Sequence, residues 1–493
     1  MATDTDSASP GDVQLRADVD RSLRHPVMFF FTSGAAWLAV ALVLGLIASI
    51  KTHKPEFLDG SAWLSTGRVY AAHLNALVYG WGCQAAFGII IWLMARLSRK
   101  ECRNAGTILT AGHLWNLGVT VGVLGILGGM GTGMPWMEFP AAVWPILLLS
   151  YVFIAIWSVI QFRCRDGGHV YISQWYLLGA IFWFPWVFFT AHFFIFAFDG
   201  HPLMDAAINS WFKGTLIFLF FVPVGVAAAY YLAPKITGRP VYSYNLAVFG
   251  FWALAVIGPW AGMQKLAGAP IPQFLPYVGA AATILFFIPI LTAGVNVLKT
   301  VAGHGATIHA SPTLRFTVSG AVGLIVLGAL GVVLNWTPAL KLTQFSMTGY
   351  AYEILAVYGF FSMCAFAVIY FVVPRITRRE WLSSRFIRWH YYLSLYGVAT
   401  VILCSLFGGL TQGPAIEAWD EPWKSAATMS SAWGVGIALA WAFLLISNVF
   451  FFLHLLMMWA RLGRRSQHPT LLRKPTATTG PDGDIDKPQA ANA

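Results

Sequence analysis

An all-α, polytopic membrane helix bundle of about twelve transmembrane helices is the fold class that three observations predict. The 493-residue chain is 58% hydrophobic and only 10% charged, against roughly 25% charged in an ordinary soluble domain. Its apolar residues come in runs of about 20 or more, long enough to cross a bilayer as a helix. Those runs do not alternate apolar with polar residues, as a membrane-spanning strand would have to.

Taken in order, residues 1–25 are polar and carry Asp4, Asp6, Asp12, Asp18 and Asp20. With no apolar core and no small-residue cleavage pattern, they read as a cytoplasmic N-terminal segment rather than a signal peptide. The membrane domain covers 26–462, with spans at about 27–50, 68–96, 106–129, 138–161, 170–198, 208–234, 243–265, 273–298, 313–336, 346–374, 386–410 and 430–460 by the length criterion. Residues 463–493 end in "PTATTGPDGDIDKPQAANA". A polar stretch rich in Pro and Gly reads as a disordered cytoplasmic tail. The 22 tryptophans suit interfacial belts and packing in a bilayer.

The net charge of +11 is distributed as topology requires, not as a nucleic-acid footprint. Basic residues follow spans 2, 4, 6, 10 and 12: Arg96, Arg99, Lys100 and Arg103; Arg163 and Arg165; Lys235 and Arg239; Arg375, Arg378, Arg379, Arg385 and Arg388; Arg461, Arg464 and Arg465. The loops after odd spans are poor in them, and the one after span 11 carries Glu417, Asp420 and Glu421. The positive-inside rule then puts both termini in the cytoplasm, consistent with a prokaryotic inner membrane. The five cysteines, Cys83, Cys102, Cys164, Cys364 and Cys404, form no C-x-x-C pair. That excludes a disulfide framework, a zinc site and a covalent c-type haem.

Several stretches together resemble subunit I of the haem–copper oxidase superfamily, nearest its cbb3-type branch. They are "AAHLNALVYGWG" (71–82), "HVYISQWY" (169–176), "YYLAPKITGRPVYSYNLAVFGFWAL" (230–254), "YFVVPRITRREWLSS" (370–384) and "GGLTQG" (408–413). The 230–254 stretch is the most specific. The resemblance runs over roughly 25–460. It implies an enzyme that reduces oxygen to water, takes electrons from c-type cytochromes and pumps protons.

That chemistry needs histidines: one on span 2 and one on span 10 for a low-spin haem, one more on span 10 for a high-spin haem, and three on spans 6 and 7 for copper. Imidazole suits both metals. Carried over residue by residue, the pattern is broken nearly everywhere. The span-6 copper ligand falls on Gly214 and the adjacent span-7 pair on Gln264 and Lys265, within "WAGMQKLAGAP" (260–270). The branch's active-site tyrosine falls on Gly258, and the two span-10 haem ligands fall on Tyr352 and Ile354. Only His73 stands where a histidine is wanted. A protonated lysine does not ligate copper and would repel it, and no shift of register recovers ligands from spans that contain no histidine.

His73 is therefore the candidate ligand of a single low-spin haem b, against the alternative of a buried histidine satisfied by hydrogen bonds. Tyr352 is either an axial phenolate or an aromatic filling the vacated space. Glu353, costly in a span unless paired or protonated, is expected to share a buried polar centre with Lys213 and Lys265. His113 and His192 read as satisfied polar groups. No copper is expected, and the chain by itself is not expected to be an oxidase. The reading is a catalytically degenerate subunit-I homologue in a respiratory electron-transfer complex, beside cytochrome c-type or other respiratory subunits. Two alternatives stay open: a single-haem electron-transfer protein, and a non-redox scaffold, channel or transporter.

Overall fold

The computed structural model describes residues 10–198, 200–418 and 423–465; Asp420, Glu421 and the tail from 466 onward lie outside the described residues. Among these residues the protein is helical throughout, with one isolated bridge, Arg379 to Arg465. Among the described residues, twelve helices are long and apolar enough to span a bilayer: Arg24–His53, Thr66–Ser98, Ala105–Leu127, Ala141–Arg163, Ile172–Phe196, Pro202–Thr237, Tyr244–Leu266, Phe274–Val301, Pro312–Asn335, Thr348–Thr377, Ser384–Glu417 and Lys424–Trp459. They are called spans 1 to 12 below.

Packing divides these helices into two kinds. The most apolar windows of spans 2, 6 and 10 are 100% buried, whereas the other nine are 39–56% buried. A ring of nine lipid-facing helices therefore encloses an inner three. The inner helices share another trait: each widens into a π-helical segment, at Ala76–Cys83, Ile217–Phe221 and Leu355–Ser362. Such wide turns free backbone carbonyls from regular pairing and are frequent at functional sites. Each inner helix also stops at a left-handed residue on the same end of the bundle, Arg99, Gly238 and Arg378, a helix-ending geometry. A short helix, Pro10–Ser22, caps that end. Its Asp20 meets Arg96 at 3.2 Å and accepts from the Trp92 indole at 3.1 Å.

Span 7 departs from the continuous helix expected over 243–265. Its α-helix ends at Ile257, a 3-10 turn covers Gly258–Trp260, and Gly262 takes φ +106° before a second 3-10 turn, Met263–Leu266. The cause is local. Pro259 has no amide hydrogen to continue the ladder, and Gly262 alone tolerates the left-handed turn without strain. Gln264 and Lys265 thus sit on a segment folded back over span 6, not one after the other on a helix face.

Candidate functional site

The centre is built from spans 2, 6 and 10, the folded-back end of span 7, and the 128–140 loop between spans 3 and 4. Glu353 on span 10 is 5% exposed. Its Oε1 lies 2.5 Å from Lys213 Nζ and 3.5 Å from Lys265 Nζ, and its Oε2 accepts from the Trp136 indole at 3.1 Å. Lys213 also lies 5.8 Å from the centre of the Trp136 ring. The three residues expected to share a polar centre do so, with Lys213 as the tighter partner of Glu353. A carboxylate taken out of water is costly unless paired and hydrogen-bonded, and both conditions are met here.

Trp136 is fully buried with φ +66°. A bulky residue in that region is a strained outlier that the surroundings must hold in place. Three contacts do so: Tyr79 Oη donates to its carbonyl at 2.5 Å, Asn209 Nδ2 donates to Pro135 O at 2.9 Å, and Trp136 itself donates to Glu353. Two residues on, Glu138 accepts from Asn75 Nδ2 at 2.5 Å. Burial pushes its carboxyl up to about 7, against the lowering effects of the Asn75 hydrogen bond and the Lys213 charge.

Where the family resemblance calls for copper ligands, the backbone closes in. A Cβ on Gly214 would come within 2.6 Å of Gly262 Cα. Ser210 Oγ donates to Gly262 O at 2.5 Å, and Gly262 N donates to Gln264 Oε1 at 3.0 Å. The amide of Gln264 therefore stabilises its own turn. Gln344 fastens the segment by donating to the carbonyls of Lys265 and Ala267 at 2.8 and 3.1 Å. Gly258 is as tight: a Cβ there would meet Leu219 Cδ2 at 2.6 Å.

His73 is fully buried. Its Nδ1 is 2.7 Å from the Ala41 carbonyl and its Nε2 is 3.1 Å from Tyr350 Oη. A carbonyl only accepts, so Nδ1 carries the proton, and Tyr350 donates to Nε2. Gly45 lies against the ring, where a Cβ would come within 2.7 Å of Cε1. Ile354 is buried and offers no donor atom, while Tyr352 faces a cavity of about 770 Å³. Besides Tyr352 and Glu353, the cavity is lined by Lys213, Gln264, Lys265 and Tyr350. It extends to Gly45 on span 1 and opens beside Phe345 and Ser346 at the end of the bundle away from the described termini.

Sequence reasoning missed Tyr350, Trp136 and Glu138. Tyr350 and Ile354 are four residues apart, hence on one helix face, so the residue facing His73 was one turn away. Trp136 and Glu138 lie in "GTGMPWMEFP" (131–140), where an acid among aromatics in a loop between two spans was the available signal.

Comparison with known proteins agrees with this architecture. The family described as Cytochrome C and Quinol oxidase polypeptide I matches residues 25–443. A cytochrome c oxidase subunit 1 homolog from Azorhizobium caulinodans is 24% identical, covering 76% of this chain and 70% of that protein. The cbb3-type cytochrome c oxidase subunit CcoN1 of Stutzerimonas stutzeri is 23% identical, covering 76% of this chain and 81% of its own. The fold is similar to a chain of a heme-copper terminal oxidase dimer, with a TM-score of 0.68 over 90% of this chain and 86% of that one, at 14% identity. With the match running from span 1 into span 12, the chain belongs to the Cytochrome C and Quinol oxidase polypeptide I family.

Proposed function

We propose that the chain is a catalytically degenerate member of its family, a membrane subunit that keeps the bundle but not the donor set for copper and a high-spin haem. The observation that carries this reading is the Lys213–Glu353–Lys265 cluster. It sets two ammonium groups where the resemblance calls for a dication. The remaining copper positions supply a glycine pressed against backbone and an amide oxygen already accepting from Gly262. Copper favours imidazole and soft ligands, so this donor set does not fit it. His73 keeps the tautomer of a metal-binding imidazole, with Nδ1–H on a carbonyl. Its Nε2 lone pair, however, is taken by the Tyr350 hydroxyl, and buried Ile354 supplies no second ligand.

On this reading the chain acts beside cytochrome-bearing respiratory subunits in a prokaryotic inner membrane. The basic loops and both termini are cytoplasmic, with a membrane domain over 26–462. Elemental analysis and a pyridine haemochrome spectrum of the purified chain test it. Copper at no more than trace level, no bis-histidine haem and no cyanide-sensitive oxygen uptake are expected. Stoichiometric copper, or oxygen reduction by the isolated chain, overturns it.

A further inference from the structure

We propose that the central cavity binds a small amphipathic carboxylate, a molecule with an apolar body and one anionic head, and that Lys265 holds the head. The inference rests on the reading above, because a haem in this space would exclude such a ligand.

Charge supplies the first argument. One carboxylate, Glu353, faces two ammonium groups, and its Oε1 sits a full 1.0 Å nearer to Lys213 (2.5 Å) than to Lys265 (3.5 Å). Lys265 is thus the surplus cation. Among the described residues, no other carboxylate or carbonyl meets its Nζ. Its side chain is 44% exposed, against 16% for Lys213, and the space it faces is the cavity. An ammonium at the wall of a largely apolar cavity favours a counter-charge. A monoanion supplies it, a neutral ligand leaves it uncompensated, and a dianion overshoots.

The walls supply the second. About 770 Å³ falls in the range of organic-ligand pockets, roughly 300–1,000 Å³, and is far larger than a single inorganic anion requires. Ile217, Phe218, Leu334, Leu340 and Ile437 give it an apolar lining. The Tyr352 hydroxyl, which has no hydrogen-bond partner among the described residues, lines the same cavity as Lys265. With Lys213 and Glu353 paired to each other, Lys265 and a free hydroxyl in a largely apolar chamber suit one carboxylate on a hydrocarbon or aromatic body. The opening beside Phe345, which is 78% exposed, gives such a molecule access from the end of the bundle away from the described termini.

Gly349 provides a clean test. A Cβ there would lie 3.8 Å from Lys265 Nζ, in ordinary van der Waals contact, so Gly349→Leu places an apolar side chain beside the ammonium from a position with room for its Cβ. The probe is 4-phenylbutanoate, with 4-phenylbutanamide as its neutral counterpart and inorganic phosphate as a bare anion. Binding to the full chain in nanodiscs is read by calorimetry and by the shift in thermal midpoint. Wild-type protein is expected to bind the carboxylate saturably. Lys265→Met and Gly349→Leu should each weaken it by about tenfold or more, the size of a lost charge-assisted contact, while Lys265→Arg retains it. Equal binding of the amide, an equal response to phosphate, or full binding by Gly349→Leu overturns the proposal. Haem-free protein that ignores 4-phenylbutanoate sinks this inference alone; stoichiometric copper, or oxygen reduction by the isolated chain, sinks the functional reading.

Discussion

Gly214 on span 6 and Gly262 in the broken end of span 7 meet backbone to backbone, so closely that a Cβ on Gly214 would lie 2.6 Å from Gly262 Cα. The contact seals the place where the family resemblance calls for a copper ligand. Gly214→Ala is therefore expected to destabilise the protein by about 1–3 kcal/mol, the usual cost of overpacking, seen as a lowered thermal midpoint in detergent. Replacing Gly214, Gln264 and Lys265 all by histidine should be worse, and should still not yield one copper per chain. A triple variant that folds and takes up stoichiometric copper would show that the closure is not what excludes the metal.

Lys213 is the stronger of the two cations on Glu353, being nearer and less exposed. Lys213→Met should destabilise by about 3–5 kcal/mol, the range for breaking a buried pair, and Lys265→Met by less. Glu353→Gln alone strands two ammonium groups. Combined with Lys213→Met it should recover part of the loss. A double-mutant cycle in a reversible unfolding assay reads this directly, and additive effects would mean that Glu353 and Lys213 do not act as a pair.

Span number and loop charge were legible in the sequence because both depend on local composition, which a bilayer constrains tightly. Lys213, Lys265 and Glu353 were legible as a group because charge inside a span must find a partner. Two features were hidden. The fold-back at Gly262 defeats any count that assumes a fixed rise per residue beyond Pro259. The Trp136 loop enters the core only because a residue held at φ +66° turns it inward, a choice made by Tyr79, Asn209 and Glu353 rather than by the loop itself.

His73 and Tyr350 should behave as one unit. Tyr350→Phe leaves a buried ring nitrogen without a donor, and His73→Leu strands the Tyr350 hydroxyl, whereas the Ala41 carbonyl keeps its partner within the span-1 helix. Each is expected to cost about 1–3 kcal/mol, the price of an unsatisfied buried group, and the double variant should cost less than the sum. Under haem-supplied expression, any Soret band that the purified chain carries should vanish in His73→Leu. A band retained in full would place the ligand elsewhere.

Glu138 should make stability fall as pH rises through neutrality. Burial raises its folded carboxyl to about 7 from a reference value of 4.5. Between those values the folded protein holds a proton that the unfolded chain releases, so folding is favoured on the acid side. The contribution of Glu138 is greatest below about 4.5, declines up to about 7 and is level above. At 1.36 kcal/mol per pKa unit, the decline from this one group is on the order of 3 kcal/mol. Unfolding midpoints compared at pH 5 and pH 8 should show the drop in wild type and lose most of it in Glu138→Gln, which keeps an acceptor for Asn75. Lys213 adds a second check. Its positive charge lowers the Glu138 titration, so Lys213→Met should move the decline to higher pH. A profile unchanged by Glu138→Gln would assign the pH dependence to other groups, and one unmoved by Lys213→Met would uncouple the loop from the Glu353 cluster.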